Sequence, residues 1–321
     1  MIVITGACGF IGSCLLSFLN YKGYSDILIV DDFSSQKKMI NLEGKIYSIK
    51  IDRSTFLDWF RVNKRLIKEV YHLGARTDTL EVKDNIFIDL NLNYSKEIWK
   101  VCATENIPFI YASSAATYGN GEFGYDDSYA TLKKLNPLNP YAIFKHEFDK
   151  WALNQNQSPG FWCGLKFFNV YGPNEYHKGK MSSVIMHSYN NIIKTKKIYL
   201  FRSYNELYKD GEQKRDFIYV KDVINIIYFM MTQRVPSDIY NIGTGISNTF
   251  LDLSFNIFKS MNKKERVLFV DMPILLRDKY QYCTQANINK LRSIGYNKEF
   301  YNLKQGIDDY IVNYLNKNNY L

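Results

Sequence analysis

Cysteine is scarce in this sequence, and its arrangement excludes two classes of protein. The five cysteines are an odd number, lie scattered from Cys8 to Cys283, and show none of the spacings typical of metal sites. We therefore predict neither a disulfide framework nor a bound metal. Isolated thiols of this kind favour a reducing compartment, so we expect a cytoplasmic protein.

Long apolar runs are also missing. No uninterrupted apolar stretch approaches the length of a transmembrane helix, so we expect no membrane partner. The chain opens with the strand-like "MIVITG", from which we expect no signal peptide. Internal repeats and low-complexity linkers are absent too, which favours a folded globular protein.

Acidic residues are fewer than basic ones, 32 against 41, and the net charge is +9. The densest basic runs, "KRLIK" at 64–68 and "KTKK" at 194–197, are short and typical of solvated helix ends. We therefore expect no nucleic-acid partner. A small anionic substrate is compatible with the charge.

The sequence does contain enough apolar material for a large core, since 46% of its 321 residues are hydrophobic. Continuous apolar strands alternate with helical stretches, which predicts a parallel sheet covered on both faces. We predict an α/β fold, a Rossmann-type doubly wound parallel sheet with a smaller α/β substrate lobe. Predicted strands are 2–5, 27–31, 69–74, 108–114, 162–172, 197–201, 215–220 and 239–244; helical stretches start near 12 or cover 86–105, 248–261, 284–294 and 302–315.

The glycine-rich stretch "TGACGFIG" (5–12) follows the first strand and opens a helix. Glycines at this point permit a tight turn, a close approach of the backbone to a pyrophosphate, and close packing of helix and strand. Asp31 ends the next strand, where an acid can bind the adenosine ribose. Asp31 and Asp32 favour the free 2′-hydroxyl of NAD, whereas Lys38 and Arg53 could bind the 2′-phosphate of NADP. The choice between the two stays open here.

A serine, a tyrosine and a lysine follow in the order that alcohol oxidation requires. Ser114 ends the strand "PFIYASS", and Tyr141 and Lys145 are four residues apart, on one face of a helix. A neighbouring ammonium stabilises a phenolate, so Lys145 is expected to lower the pKa of Tyr141 and make it an acid or base. Ser114 could hold the substrate oxygen. A solvent-exposed helix pair is the simpler alternative for Tyr141 and Lys145.

With these motifs the chain resembles the extended short-chain dehydrogenase/reductases. Within that superfamily it is most similar to the ADP-L-glycero-D-manno-heptose 6-epimerase family. The stretches that carry the resemblance are "TGACGFIG", "YASSAATYG", "NPYAIFK", "FNVYGPNEYHKGKM" (168–181), "KRDFIYV" (214–220), "YNIGTG" (240–245) and "KYQYCTQANINKLRSIGYNKEF" (279–300).

The resemblance implies a reaction, a cofactor and an assembly. Members of the family interconvert two ADP-heptoses that differ at C6″, for the inner core of lipopolysaccharide, with tightly bound NADP. They form homo-oligomers, typically pentamers. We accordingly expect residues 1–172 plus 216–245 to form the NADP-binding domain and residues 173–215 plus 246–321 to form the substrate-binding domain.

The resemblance also assigns residues. Tyr141 and Lys178 match the two catalytic acid/base groups, and Ser114 and Lys145 support them. Positions that match cofactor contacts or line that site are Gly6, Gly9, Phe10, Ile11, Gly12, Asp31, Asp32, Lys38, Arg53, Leu73, Gly74, Ala75, Arg76, Asn91, Lys145, Val170 and Lys178. Positions that match substrate contacts are Ser114, Asn169, Lys180, His187, Phe201, Arg202, Ser203, Tyr204, Arg215 and Tyr280.

A second base has a chemical reason. A dehydrogenase works on one face of a carbonyl, whereas an epimerase must return the hydride to the other face. At an exocyclic C6″ the ketone can turn about one bond, and its oxygen then needs its own proton donor. Lys178 is a plausible donor if burial lowers its pKa, with a phosphate-binding or surface lysine as the alternative. We expect His177 to be structural, and His187, Arg215 and Tyr280 to hold the ADP diphosphate.

The sequence departs from the family at three places. Lys180 stands where serine is usual, "LGARTDT" (73–79) replaces a loop without arginine, and "YNELYKDGEQ" (204–213) is longer than usual. A UDP-hexose 4-epimerase and a non-catalytic dinucleotide sensor remain alternatives. A 4,6-dehydratase is disfavoured, because "SSAATYG" has no carboxylate pair after the serines.

Overall fold

Seven strands form the central sheet of the fold, and the inner ones are apolar and buried on both faces. A computed structural model describes residues 1–77, 84–277 and 280–321 of the chain. The strand residues of β1 (Ile2–Thr5), β2 (Ile27–Asp31) and β6 (Trp162–Phe167) are all buried. Such strands lie between covering helices. The predicted α/β fold with a parallel sheet is therefore confirmed.

The remaining strands and the helices follow in chain order. The strands are β3 (Ile49–Asp52), β4 (Glu69–His72), β5 (Phe109–Ser114), β7 (Asn169–Tyr171), β8 (Ile198–Phe201), β9 (Lys214–Tyr219), β10 (Asp238–Ile242), β11 (Ser247–Thr249) and β12 (Val267–Val270). The helices are α1 (Phe10–Tyr21), α2 (Gln36–Met39), α3 (Arg53–Asn63), α4 (Asp84–Phe87), α5 (Tyr94–Thr104), α6 (Tyr129–Leu132), α7 (Pro140–Leu153), α8 (Val184–Thr195), α9 (Val220–Gln233), α10 (Phe250–Ser260), α11 (Ile274–Arg277), α12 (Asn289–Ser293) and α13 (Leu303–Asp309).

The main sheet has the order β10-β6-β5-β4-β1-β2-β3, and its strands pair in parallel. The direction of winding reverses between β1 and β4. In open sheets of this kind, ligands bind in the crevice outside the carboxyl ends of the strands at such a reversal. The sheet order therefore directs attention to the residues that follow β1 and β4.

Two smaller sheets lie outside the main one. Strands β11, β9 and β7 form the first, and β12 and β8 form the second. The strand predicted over 162–172 is in fact two strands, because Phe168 donates its backbone N–H to Ile242 at 3.0 Å and the chain then turns. Beyond that turn, β7 pairs with β9. The turn carries the chain from the main sheet into the second half of the molecule.

Two helix boundaries differ from expectation. Helix α1 begins at Phe10 and not at residue 12, since Gly9 already caps it. The stretch predicted as helical over 284–294 is helical only in α12, because Thr284 and Asn287 bond to the backbones of Lys214 and Tyr125. Among the described residues, no helix is both long and apolar enough to cross a membrane.

Candidate functional site

The turn between β1 and α1 depends on the absence of side chains. Gly6 has a φ of +71°, and a Cβ on it would lie 2.6 Å from the backbone nitrogen of Gly74. A Cβ on Gly12 would lie 2.1 Å from the carbonyl oxygen of Gly6. Only glycine fits at these two positions. The turn therefore packs directly against the loop that follows β4 and against the first turn of α1.

The first turn of α1 is open to an anion. Gly9 caps the helix without a side-chain hydrogen bond, and the turn that starts with Phe10 and Ile11 carries no acidic side chain. The first amide groups of a helix have no acceptor within it and lie at the positive end of its dipole. The glycine cradle and these amides fit the pyrophosphate of a dinucleotide.

The predicted ribose acids are paired with the predicted cations. Asp31 is buried and accepts hydrogen bonds from the backbone N–H of Cys8 at 2.8 Å and from Lys38 Nζ at 2.5 Å. Asp32 is more exposed and accepts from Arg53 Nη2 at 3.0 Å. The structure thus brings the four residues together. Asp31 is hydrogen-bonded to the glycine-rich turn, whereas Asp32 and Arg53 lie nearer to solvent.

A chain of buried hydrogen bonds spans the winding reversal. The N–H of Gly74 donates to Thr5 Oγ1 at 3.1 Å, and Thr5 Oγ1 lies 2.7 Å from His72 Nδ1. His72 Nε2 lies 2.8 Å from Ser95 Oγ, which donates to the carbonyl of Asn91 at 2.7 Å. This order assigns the proton of His72 to Nε2. Burial lowers the pKa of His72 to about 3, so the ring is neutral.

The same chain fixes the loop after β4. The side chain of Asn91 accepts from the N–H of Arg76 at 2.7 Å and donates to its carbonyl at 2.9 Å. Leu73 and Ala75 are half-buried beside it. Sequence reasoning singled out Asn91 but missed Thr5, His72 and Ser95. The sequence feature that could have identified this network is a histidine in an apolar strand, directly before the loop.

Tyr141 and Lys145 lie on α7, which packs against β5, and Ser114 ends that strand. Burial raises the pKa of the Tyr141 phenol, and a hydrogen bond with Ser114 opposes this effect. Lys145 Nζ donates to the carbonyl of Ala112 at 2.6 Å. Burial lowers the pKa of Lys145 to about 8, with Asp149 acting in the other direction. The expected lowering of the Tyr141 pKa by Lys145 is therefore wrong for this structure, because burial dominates.

A fully buried ion pair supports this part of the site. Lys166 Nζ donates to Asp149 at 2.6 Å and to Thr117 Oγ1 at 2.6 Å. Asp149 also accepts from Ser113 at 2.6 Å and from Tyr111 at 3.0 Å. The network joins α7, β5, β6 and the turn after Ser114. Sequence reasoning missed it, although a lysine inside the apolar strand "WCGLKF" was a signal.

Lys178 lies in a short 3₁₀ stretch, Tyr176–Met181, where Gly179 has a φ of +54°. Its Nζ is 5.5 Å from the ring centroid of Phe10. Burial lowers the pKa of Lys178, and Glu175 opposes this. Phe10 follows β1 and Ser114 ends β5, so Lys178 and Tyr141 lie near the carboxyl ends of two strands between which β4 runs.

His177 has a structural environment. Its Nδ1 lies 3.2 Å from Asn41 Nδ2, and burial lowers its pKa to about 4. Asn41 Nδ2 also donates to the carbonyls of Cys8 at 2.9 Å and Asn174 at 3.0 Å. Asn41, which the sequence did not suggest, therefore joins the glycine-rich turn to the loop of Lys178.

His187 and Lys180 lie together at the end of the loop that carries Lys178. His187 Nε2 is 3.2 Å from the Lys180 carbonyl and 3.2 Å from Ser182 Oγ. The Lys180 side chain is exposed. Asn169 is exposed at the start of β7, and Val170 beside it is half-buried. His187 thus braces the end of the loop, and its predicted contact with a diphosphate remains a prediction.

Arg215 forms an aromatic cluster with predicted partners. Its guanidinium carbon lies 5.1 Å from the ring centroid of Tyr280 and 5.6 Å from that of Phe250. Phe201 meets Tyr280 edge-on at 6.4 Å. Arg215 is almost fully buried. The structure therefore brings Arg215, Tyr280 and Phe201 together and adds Phe250.

The residues after Phe201 have acidic partners of their own. Arg202 pairs with Asp210 at 3.1 Å and with Asp271 at 3.6 Å. The N–H of Ser203 donates to Asp210 at 2.7 Å, and the hydroxyl of Tyr204 donates to Asp271 at 3.1 Å. Asp210 belongs to the lengthened segment 204–213. This segment therefore restrains Arg202 and Ser203, which directly precede it. The quoted residues Asp78, Thr79 and Lys279 lie outside the described residues.

Comparisons with known proteins identify the family and support the fold. The model of the NAD dependent epimerase/dehydratase family matches residues 2–243. A Fusobacterium nucleatum protein named ADP-L-glycero-D-manno-heptose-6-epimerase is 47% identical over 327 residues, covering 99% of this chain and 98% of that protein.

Solved structures are similar over nearly the whole chain. ADP-L-glycero-D-manno-heptose-6-epimerase of Helicobacter pylori has a TM-score of 0.81 and 27% identity, covering 97% of this chain and 95% of that one. UDP-glucose 4-epimerase of Thermus thermophilus in complex with NAD has a TM-score of 0.77 and 21% identity, covering 97% of each chain. The second likeness supports the fold alone.

Proposed function

We propose that this chain, which belongs to the NAD dependent epimerase/dehydratase family, is an isomerase that inverts C6″ of ADP-D-glycero-D-manno-heptose to give ADP-L-glycero-D-manno-heptose. The full-length relative at 47% identity supports this substrate. The observation that supports this chemistry is that two groups able to transfer protons lie at the carboxyl edge of the main sheet, Tyr141 with Ser114 at the end of β5 and Lys178 beside Phe10 after β1.

The residues divide the work as follows. The glycine-rich turn and the residues after β2 would hold a nicotinamide cofactor, which would supply reversible hydride transfer at C6″ on either face of the ketone. Tyr141 removes the hydroxyl proton of one epimer, with Ser114 beside the oxygen. After the ketone has turned, Lys178 donates a proton to the oxygen in its new position. Each direction uses both groups, and the substrate shows no net oxidation.

We further propose NADP as the preferred cofactor, with NAD as the alternative. A nicotinamide cofactor follows from the family, but its 2′-substituent does not. Lys38 neutralises Asp31, and Arg53 lies with Asp32 at the exposed end of β2. Because each carboxylate here is paired with a cation, a 2′-phosphate meets little repulsion, and the family resemblance favours NADP.

The remaining proposals come from the resemblance and from the substrate. We assign the enzyme to the supply of heptose for the inner core of lipopolysaccharide, in the cytoplasm, as a homo-oligomer and typically a pentamer. Arg215 and Tyr280 bind the diphosphate, because a buried guanidinium between aromatic rings offers two-pronged hydrogen bonding. The division into a cofactor domain and a substrate domain follows the boundaries given above.

The test follows the substrate directly. The purified protein, with the cofactor it carries, is mixed with ADP-D-glycero-D-manno-heptose, and the C6″ proton is followed by NMR without added reductant. Conversion to the L-glycero epimer with no net change in reduced cofactor supports the proposal. No conversion of ADP-heptose, together with turnover of UDP-glucose to UDP-galactose, would replace it with the 4-epimerase alternative.

A further inference from the structure

The loop that carries Lys178 is held by side chains and has little regular structure. It runs from Gly172, after β7, to Ser183, before α8. The buried carboxylate of Glu175 accepts from the N–H of Gly172 at 3.3 Å, from the hydroxyl of Ser183 at 2.6 Å and from the N–H of Ser183. One side chain thus joins both ends of the loop, while its middle needs other support.

That support comes from Leu321, far away in the sequence. Leu321 donates its N–H to Asn174 Oδ1 at 2.9 Å, and Asn174 Nδ2 donates to the Leu321 carbonyl at 3.1 Å. Asn174 Nδ2 also donates to Ser13 on α1 at 3.0 Å. Asn174 is buried and has a φ of +74°, so the amide side chain and the turn it makes are both fixed.

A second contact lies two residues further along the loop. The hydroxyl of Tyr176 donates to the Asn319 carbonyl at 2.8 Å. The ring of Tyr176 meets the ring of Tyr320 edge-on at 4.9 Å and stacks on Tyr310 at 6.5 Å. Residues 319–321 therefore hold the loop at Asn174 and at Tyr176.

We propose that residues Asn319–Leu321, which we name the strap, position Lys178 for its proton transfer. From Asn174 to Lys178 the chain makes a single turn, closed by the Lys178 N–H donating to the Glu175 carbonyl at 2.9 Å. A displacement of Asn174 or Tyr176 therefore displaces Lys178 as well. The strap makes no contact with Ser114, Tyr141 or Lys145 in the hydrogen bonds of the described residues. It serves one of the two proton-transfer groups.

The inference rests on the proposed function, so the experiment separates the two. Oxidation of each ADP-heptose epimer is measured in a single turnover of the cofactor-loaded enzyme, by the absorbance of the reduced nicotinamide. Lys178→Met identifies the epimer whose oxidation depends on Lys178. Two variants then break the strap from opposite sides: Asn174→Gly, which keeps the left-handed backbone, and a chain lacking Asn319–Leu321.

We expect each variant to slow the Lys178-dependent oxidation by about 10- to 100-fold, because a displacement of about 1 Å can cost about 100-fold. Oxidation of the other epimer should change by less than about two-fold. The combined variant should be little worse than the chain lacking Asn319–Leu321, since both changes remove the hydrogen bonds between Asn174 and Leu321. Tyr189→Phe is the matched control, because it removes a tyrosine hydroxyl bond to Asn316 outside the loop.

Equal loss of both oxidations, or loss of neither, would overturn the positioning role. Hydrogen exchange of the amides of 174–182 gives a readout independent of turnover. Faster exchange in both strap variants and not in Tyr189→Phe supports the strap even if ADP-heptose proves not to be the substrate. Unchanged exchange in both strap variants sinks the proposal, whatever the substrate is.

Discussion

Tyr141 and Lys178, the two proposed proton-transfer groups, are held by two different kinds of support. Tyr141 lies on a 14-residue helix that is tied to β5 and β6 by the buried pair of Asp149 and Lys166. Lys178 lies on a six-residue 3₁₀ stretch whose neighbours are held by Glu175 of the loop itself, by Ser13 of α1 and by the strap. The first group is placed by a long helix packed on the central sheet, and the second by side-chain contacts that hold an irregular loop.

Two groups of one proposed site can thus be held in place by different kinds of contact. A group fixed in the core is displaced only when the fold itself is disturbed. A group on a loop can be displaced while the fold stays intact. Substitutions around Tyr141 should therefore affect stability and activity together, whereas substitutions around Lys178 should affect activity more than stability.

Removing either proton-transfer group should have the largest effect. We expect Tyr141→Phe and Lys178→Met each to lower epimerisation by roughly 10²- to 10⁴-fold, since each direction needs both groups. The measurement is the rate of C6″ epimerisation by NMR, with bound cofactor quantified as a control. Near-normal epimerisation by Lys178→Met would leave Tyr141 as the only base. Lys178 would then not be a second proton-transfer group.

The buried pair should be the next most sensitive. Asp149→Asn leaves Lys166 without its charge partner, and we expect the free energy of unfolding to fall by about 3–5 kcal/mol. Glu147→Gln on the same helix is the control, because its pair with Lys150 is exposed and should be worth about 0–1 kcal/mol. Denaturant unfolding measures the loss of unfolding free energy in both variants. Similar losses in the two variants would mean that the pair does not support α7.

Glu175→Gln tests the other side with a smaller effect on stability. The amide replaces a carboxylate oxygen that accepts N–H and hydroxyl groups, so a buried donor loses its acceptor, at a cost of about 1–3 kcal/mol. Denaturant unfolding measures this loss, and single-turnover oxidation of each epimer shows its effect on the site. We expect the Lys178-dependent oxidation to slow more than the other one. A stability loss as large as that of Asp149→Asn would show that this loop, too, belongs to the core.

The pH dependence of stability gives the smallest and most specific effect. Burial lowers the pKa of Lys145 to about 8, below the ordinary lysine value of about 10.4. Between these values the unfolded chain binds more protons than the folded one, so stability gains from this group as pH rises. We expect Lys145→Met to lose this gain, by about 1 kcal/mol per pH unit. If the free energies of unfolding of the unsubstituted protein and of Lys145→Met change in parallel from pH 8 to about 10, this expectation is wrong.

The Tyr141 side was predictable from sequence, and its support was not. A spacing of four on a helix places Tyr141 and Lys145 on one face whatever surrounds them, and α7 has that spacing. The glycines of the β1–α1 turn were predictable for the same local reason. The pairing of Lys166 with Asp149 depends on the register of β6 beside β5, and the raised pKa of Tyr141 depends on burial. Neither can be read from a short stretch of sequence.

The Lys178 side was predictable only through family resemblance. Lys178 itself has no local pattern that marks it as a base. Its environment is assembled from Asn41, Asn174 and Leu321, which are far apart in the chain and meet only after folding. Polar residues in irregular segments have many possible partners, so sequence periodicity gives no guide to them. His72 was missed because its neighbours Thr5 and Ser95 are equally distant.

The strand order also has a consequence for biosynthesis. Strand β6 is made well before β10, which covers its outer edge in the finished sheet. Until β10 leaves the ribosome, the nascent chain presents β6, with the apolar sequence "WCGLKF", as an open edge that can pair with another chain. Premature termination between these two strands should therefore give aggregation-prone fragments, whereas slow translation through α9 would prolong the exposure of the same edge.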